Sequence, residues 1–340
     1  MENKCFIIAE LSANHGGNIE IAKETIRAAK RTGADAIKFQ TYLPSTMTLN
    51  SNKEDFMVRG GTIWDGRNLY ELYQEASLPW EWHKELFDLA KKEDIICFST
   101  PFDKTAVDLL ESLDNPIYKV ASFEIQDIPL IKYIASKGKP IIMSTGIATY
   151  DDIVLAVKTC KDEGNNDITI LKCTSSYPAP IEEANLKMIK KFAKEFNVKV
   201  GLSDHTMGNL VPILSIAMGA KVIEKHFILN HDIGGPDASF SMDEKEFTAL
   251  VKDIRDAELA IGIESFELTE KQISGRRYGR SIYVIKEIKL GDKITEDNIK
   301  IVRPSFGLAP KYYHEIIGKS VNKNLSHGDR LTLEDINNDI

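Results

Sequence analysis

The chain has 340 residues, with 43 basic and 51 acidic side chains for a net charge of −8, and 43% of its residues are hydrophobic. That balance excludes a disordered chain, and at this length roughly 75% of the extended surface can be buried on folding. The acidic excess, with no Lys/Arg-rich stripe, speaks against a nucleic-acid binder, although a local basic pocket for a small anion stays open.

Four cysteines, Cys5, Cys97, Cys160 and Cys173, lie far apart and show neither the CxxC spacing of a zinc or redox site nor the density of a disulfide framework. They are expected as buried free thiols in a reducing cytoplasm. The apolar run at the N-terminus is too short for a signal segment and ends at Glu10, and no later run approaches ~18 uninterrupted apolar residues. Neither export by this route nor a membrane span is expected.

Along the chain, short runs rich in β-branched residues alternate with longer segments of helical period. Strands are predicted at 5–11, 34–40, 95–101, 117–122, 140–146, 168–174, 199–204 and 221–227. Each is followed by a predicted helix, at 18–32, 79–93, 104–112, 128–137, 150–163, 184–196, 208–219 and 242–262. Eight βα units in this length predict an α/β fold, a TIM (β/α)8 barrel forming a catalytic domain over 1–263.

The segment 41–78 is too long for an ordinary βα loop and carries Arg59, Gly60, Gly61, Trp64, Asp65, Gly66 and Arg67, so a functional loop is expected there. The stretch 264–281 is polar and basic and reads as a linker or arm. A small β-rich module is predicted over 282–340, with a Gly-Asp turn in each half, at Gly291-Asp292 and Gly328-Asp329.

Barrel active sites lie at the C-terminal ends of the strands, and strand side chains alternate. Lys38 and Gln40 share one face of the second strand, opposite Ile37 and Phe39; Glu224 and His226 share one face of the eighth, opposite Ile223 and Phe227; Ser203 and His205 share a parity on the seventh. A lone barrel histidine is most simply a hydrogen-bonded core or rim residue. Two that end neighbouring strands, in SDH and EKH contexts with His231 and Asp232 close behind, point instead to a divalent metal acting as a Lewis acid; residue type alone leaves manganese, cobalt, iron and zinc open.

The second constellation is Lys38, Lys119, Thr100, Ser122, Ser144 and Ser203, all at strand ends. A single Ser or Thr can simply cap a helix, as Ser144-Thr145-Gly146 would. A lysine facing a barrel interior has no such simple reason, because an unpaired buried ammonium is costly. Together they suggest an anionic, phosphorylated substrate. Glu10 completes the rim, whereas His15 is expected in a tight turn, and Trp80, Trp82 and His83 in core packing at the start of a helix after Pro79.

The motifs IIAELSANHGG, DAIKFQTY, FSTPFD, YKVASFE, IMSTG, LKCTSSYPAP, GLSDHT, IEKHF and GGPDASFSM follow in order at the strand ends. With them the chain resembles the sialic acid synthase family, the phosphoenolpyruvate-dependent synthases of nine-carbon 2-keto sugar acids, and the final module, with IVRP at 301–304, resembles that family's antifreeze-like (SAF) domain. Within the family the insert at 60–83 and the GGPDASFSM loop most resemble the pseudaminic acid synthase branch.

The resemblance implies that His205 and His226 bind a divalent metal, manganese first with magnesium or cobalt as alternatives. It implies that Lys38, Thr100, Lys119, Ser122, Ser144 and Ser203 hold phosphoenolpyruvate, with Lys38 and Lys119 also catalytic. Glu10, Gln40, Glu224 and Asp237 would line the sugar and metal side. Tyr177 matches a site tyrosine, while Ser175 stands where neuraminate synthases carry an asparagine. Arg303 would reach a partner subunit's site in a domain-swapped homodimer. Glu124 is the candidate base for the water that completes the reaction, with a structural pairing to Lys119 as the alternative.

The expected partners are thus phosphoenolpyruvate and an N-acetylated amino sugar, with no nucleic acid and no membrane. The expected reaction makes pseudaminic acid from 2,4-diacetamido-2,4,6-trideoxy-L-altrose. Legionaminic or N-acetylneuraminic acid synthesis is the alternative, and a metal-dependent barrel isomerase or aldolase, or a non-catalytic binding module, the more distant ones.

Overall fold

The computed structural model describes residues 4–59 and 61–337; Gly60 of the insert motif and the outermost residues of both expected domains lie outside the described residues. The chain divides into two compact units, Met1–Gly262 and Ile263–Ile340.

The first unit contains eight strands: β1 (Phe6–Glu10), β2 (Ala36–Thr41), β3 (Ile96–Pro101), β4 (Tyr118–Val120), β5 (Ile141–Ser144), β6 (Ile168–Cys173), β7 (Lys199–Asp204) and β8 (Val222–His226). They pair in sequence order, all parallel, and β8 closes onto β1. Its helices are α1 (Ile19–Thr32), α2 (Pro44–Met47), α3 (Leu69–Ala76), α4 (Trp80–Lys92), α5 (Lys104–Ser112), α6 (Ile128–Ala135), α7 (Tyr150–Asp162), α8 (Lys187–Phe196), α9 (Leu210–Ala217) and α10 (Glu244–Ile261). The predicted βα order is therefore the observed one, and α2 and α3 belong to the insert.

Strand alternation sorts the side chains. Ile8, Ala36, Phe98, Ile142, Leu171 and Val222 point inward and close the barrel floor, while Ile7, Ile37, Phe39, Leu202 and Ile223 point outward and pack with helix residues such as Ile26, Leu86 and Phe247. Continuing the inward parity upward from the floor carries Glu10, Lys38, Thr100, Ser144, Ser203, Glu224 and His226 to the open end of the barrel. Gly201 faces inward too, and a Cβ there would lie 2.2 Å from the Val222 carbonyl, so this position admits no side chain without moving β8.

The insert is ordered by its own polar groups. Val58 donates its N–H to Arg67 O at 2.8 Å and accepts from Gly66 N at 2.9 Å, making a hairpin. The Asp65 carboxylate accepts from the N–H groups of Gly61 and Thr62 at 2.8 and 2.9 Å. Asn68 caps α3, accepting from Tyr70 N at 2.9 Å, and its amide donates to Ser51 O at 2.8 Å. His15 and the Trp80–His83 segment are structural, as expected. His15 bridges Ala76 O and Gly17 N, and His83, buried in α4, meets the Thr41 hydroxyl at 2.8 Å.

In the second unit, the stretch expected as a linker carries a short helix, α11 (Glu270–Gly275). Among its described residues the module beyond has one antiparallel pair, β9 (Ser281–Val284) with β10 (Ile299–Val302), and otherwise isolated bridges such as Ile288 with Leu325, so its β character lies more in bridges than in long strands. A last short helix is α12 (Tyr313–Ile316). Both Gly-Asp turns are present and built alike. Gly291 and Gly328 take positive φ, +86° and +92°, and the following aspartates accept from Lys289 N at 3.1 Å and Ser326 N at 2.7 Å. Ile282, Val284, Ile288, Ile294, Val321 and Leu331 form its core.

Candidate active site

At the C-terminal end of the barrel, Lys38, Thr100, Lys119, Ser122, Ser144 and Ser203 line a narrow polar cavity of about 50 Å³ together with Glu10, Gln40, Cys173, Tyr177, His205, Glu224 and His226. The structure thus brings together all six residues of the anion-binding constellation. Lys38 is ion-paired with Glu10 and, at 3.4 Å, with Glu224, and it donates to Thr100 Oγ1 at 3.0 Å. Burial pulls its pKa down, but the carboxylates of Glu10 and Glu224 outweigh it and hold the ammonium above its ordinary range.

Lys119 is treated differently. It donates to Ser144 Oγ at 2.7 Å and Val120 O at 2.9 Å, and its ion pair with Glu224 is long, 3.9 Å. Burial dominates, so its pKa is lowered. An under-compensated ammonium beside a ring of hydroxyls gains charge-assisted hydrogen bonds when an anion enters. Gly146 completes this wall by donating its N–H to Ser122 Oγ at 3.1 Å, and a Cβ there would lie only 2.0 Å from Ser175 Oγ.

The candidate metal ligands stand side by side, with ring centroids 5.3 Å apart. His205 Nδ1 donates to Thr174 O at 2.9 Å, which fixes the tautomer that leaves Nε2 with a free lone pair. Among the described residues His226 Nδ1 is buried without a hydrogen-bond partner, 3.8 Å from Asp237 Oδ2. Burial first, then the positive charges of His205 and Lys38, keep His226 well below its ordinary range and therefore neutral. An orphaned buried nitrogen is costly unless something occupies it. Two imidazoles with carboxylates nearby fit a divalent transition metal, which would take both rings in their neutral forms and so displace the proton that Cys173 and the Thr174 carbonyl favour on His205.

A second group, His231, Asp243 and Glu246, also clusters acidic and imidazole atoms. Here Asp243 and Glu246 exchange backbone bonds of 2.8 and 3.0 Å as the capping box of α10, and His231 Nδ1 donates to Ala238 O at 3.1 Å, so the cluster is accounted for by a helix cap.

Through Gln40, Phe102, Ala121, Tyr177 and His226 the narrow cavity continues into a larger chamber of about 360 Å³. Glu124 and Asp237 face this chamber. Asp237 accepts from the Ser12 hydroxyl, and Gln40 donates to Ser12 Oγ at 2.9 Å and Glu10 Oε1 at 3.2 Å. Burial raises the Asp237 pKa despite those bonds. Glu124 has one carboxylate oxygen buried without a partner among the described residues, and burial lifts its pKa to about 7. Among the described residues no ion pair joins it to Lys119, although that ammonium's charge opposes the rise. Tyr177 stacks against His205 at 4.3 Å, Phe240 at 5.1 Å and Trp64 at 5.6 Å.

Arg303 lies exposed in the second unit, in a groove with Arg276, Arg277 and Arg280. Sequence reading missed Ser12, the buried Asp204 and Lys225, and the chamber wall from the insert. The first three lie within quoted motifs, and the alternation in SDHT and EKHF was the available signal for the ion pair.

Residues 25–265 match the NeuB family and residues 279–337 the SAF domain. Relatives include "Pseudaminic acid synthase" of Campylobacter jejuni, 50% identical over 330 residues covering 97% of this chain and 96% of that protein. The protein of the same name from Helicobacter pylori is 51% identical over 331 residues and 97% of each chain. A crystal structure of the N-acetylneuraminic acid (sialic acid) synthetase of Leptospira borgpetersenii, 31% identical, aligns with a TM-score of 0.72 over 80% of this chain and 90% of that one. The chain belongs to the NeuB family and carries an SAF domain after its barrel.

Proposed function

We propose that this chain is a pseudaminic acid synthase, condensing phosphoenolpyruvate with 2,4-diacetamido-2,4,6-trideoxy-L-altrose and water to give pseudaminic acid and phosphate. The observation that carries the reading is half-identity over nearly the whole chain to two proteins of that name. The geometry supports it, because a small basic cavity for a phosphorylated acid opens at the metal histidines onto a chamber of small-molecule size.

Lys119 and Lys38, with Thr100, Ser122, Ser144 and Ser203, would hold the phosphate and carboxylate of phosphoenolpyruvate with its C3 turned toward the chamber. The sugar aldehyde would sit beside His226 and Asp237, placing the two carbons in contact. Bond formation between C3 and the aldehyde carbon turns the aldehyde oxygen into an alkoxide, which takes a proton from solvent, and leaves an oxocarbenium-like C2. Water adds at C2, giving one proton to the Glu124 carboxylate, which returns it to solvent; cleavage of the C2–O bond then releases phosphate, which carries off the proton of the C2 hydroxyl, and leaves the 2-keto acid. His205 and His226 would hold a divalent metal, manganese by preference, which when bound supplies Lewis-acid polarisation of the aldehyde oxygen.

The same proposal includes a domain-swapped homodimer in which Arg303 serves the partner subunit's site, and a cytoplasmic location in keeping with four buried free thiols. None of the described helices is long and apolar enough to cross a membrane.

The test is phosphate release from phosphoenolpyruvate with Mn2+, comparing the diacetamido-trideoxy-altrose, its legionaminate-precursor isomer and N-acetylmannosamine. Turnover with the altrose alone is expected. Preference for another of the three keeps the condensation and removes the sugar. No phosphate with any of them overturns the reading in favour of an isomerase, an aldolase or a binding module. Light scattering of the full chain tests the dimer, and a monomer that remains fully active would sink the role given to Arg303.

A further inference from the structure

The insert does more than cover the site. Helix α3 faces the chamber with Leu69, Leu72, Tyr73 and Ala76, spaced i, i+3, i+4 and i+7, which is a complete helical stripe. Such a stripe ordinarily packs into a core, yet here it borders a cavity. Val58 and Trp64 of the hairpin extend the same wall. Trp64 is held in place from two sides, by its indole N–H donating to Pro236 O at 3.2 Å and by its ring against Tyr177 at 5.6 Å. The strand ends supply the opposite, polar side of the chamber through Gln40, Asp237 and His226. A ligand that fills this space is therefore met by polar groups near the histidines and mainly by apolar side chains along α3, with Glu124 near Tyr73 the charged exception.

We infer that Leu72, Tyr73 and Trp64 form a specificity wall that reads the apolar tail of the sugar, the C6 methyl together with an acetamido methyl, and disfavours a sugar with a hydroxyl at C6. The inference rests on the sugar-condensing reading above, and it assigns selection to the insert, whereas bond formation is assigned to the strand ends. An added hydroxyl against the Leu72 side chain and the face of the Trp64 ring loses its water without gaining a partner there. Because apolar pockets reject an extra hydroxyl only moderately, discrimination on the order of 100-fold is expected.

The test uses the full chain with Mn2+ and a matched pair of sugars, the diacetamido-trideoxy-altrose and its 6-hydroxy analogue, measured by calorimetric binding and by phosphate release. The unsubstituted chain should favour the 6-deoxy sugar by ~100-fold in kcat/KM and show the same preference in binding. Leu72→Ser and Trp64→Ala should each shrink that ratio about tenfold, through the 6-deoxy sugar, with KM for phosphoenolpyruvate unchanged. Leu72→Met, which keeps an apolar side chain, should retain the preference and guards against a folding defect in Leu72→Ser. Equal binding of the two sugars to the unsubstituted chain, or variants that weaken both sugars by the same factor, overturns the wall. Selective binding without phosphate release would keep the wall and overturn the condensation, so the two readings fail separately.

Discussion

Asp204 and Lys225 form a buried ion pair at 2.5 Å, each one residue before a candidate metal histidine. They are register partners across β7 and β8, and both point outward, opposite in parity to His205 and His226. Asp204 also accepts from the Thr206 N–H at 3.2 Å and hydroxyl at 2.9 Å, while Lys225 donates to Thr206 O at 2.5 Å. A slip of one residue between β7 and β8 would break the Lys225 bonds to Asp204 and Thr206 and turn one histidine away from the other. The pair therefore acts as a register lock on the helix side of the barrel for the chemistry on its inner side.

Removing one partner should be far worse than removing both. Lys225→Met leaves a buried carboxylate without its cation, a loss of about 3–5 kcal/mol, whereas the double variant Asp204→Leu, Lys225→Met should be close to the unsubstituted chain in stability. Urea unfolding reads the difference. The double variant should nevertheless bind Mn2+ more weakly, because the histidines lose their register lock; full stability together with full metal affinity would show that the pair only fills space.

Lys119 should matter for one substrate and not the other. Its charge is poorly compensated by its protein neighbours, so most of what it can gain comes from the incoming anion. Hydrogen bonds to charged groups contribute about 1.5–3 kcal/mol, and Lys119→Met should raise KM for phosphoenolpyruvate by roughly 10- to 150-fold, leaving KM for the sugar within about twofold. Steady-state kinetics with each substrate varied in turn decides this. An equal rise in both KM values would mean that the substitution disturbs the whole barrel mouth.

How much of this was legible beforehand follows from the range of the forces. The parity of Lys38 with Gln40 and of Glu224 with His226 is a local consequence of strand geometry, so the inward-facing site could be read from a few residues at a time. The Asp204–Lys225 lock joins two strands 21 positions apart, and either residue alone reads as a solvated charge. The chamber was still less accessible. Leu72 and Trp64 belong to an insert that the sequence marks only as a long functional loop, and what its helix faces depends on the hairpin folding back to the β8 loop at Pro236. Glu124 was legible as a carboxylate in the YKVASFE segment, but the missing partner on its buried oxygen is a property of the assembled site.

Metal affinity should reside in two histidines and no others. His205→Ala and His226→Ala each remove a ligand from an otherwise intact pocket, and each should weaken Mn2+ binding by more than the 10- to 100-fold typical of losing a supporting group. The electron paramagnetic resonance signal of free Mn2+ measures this directly. His15→Asn is the control, since His15 is engaged with Ala76 and Gly17. Chelation should abolish turnover and added Mn2+ restore it. Retained Mn2+ binding in the His205→Ala, His226→Ala double variant would place the metal elsewhere, with the His231 cluster at α10 the next candidate.

The pH profile carries the sharpest test of Glu124. Burial raises its pKa to about 7, Asp127 adds to the rise and Lys119 opposes it. A base works as the carboxylate, the form present above that pKa, so kcat/KM should climb with rising pH through about 7 and then level off. When phosphoenolpyruvate is bound, its phosphate takes up the charge of Lys119 and the opposing influence weakens, so the limb in kcat should lie at or above the limb in kcat/KM. Glu124→Gln should lower kcat by about 10²- to 10⁴-fold and remove the limb, with little change in KM for phosphoenolpyruvate. Asp127→Asn removes the charge that adds to the rise, and should shift the limb downward in pH without abolishing turnover. A limb that survives in Glu124→Gln would assign the titration to another group, and near-normal kcat in that variant would leave the attacking water without this base.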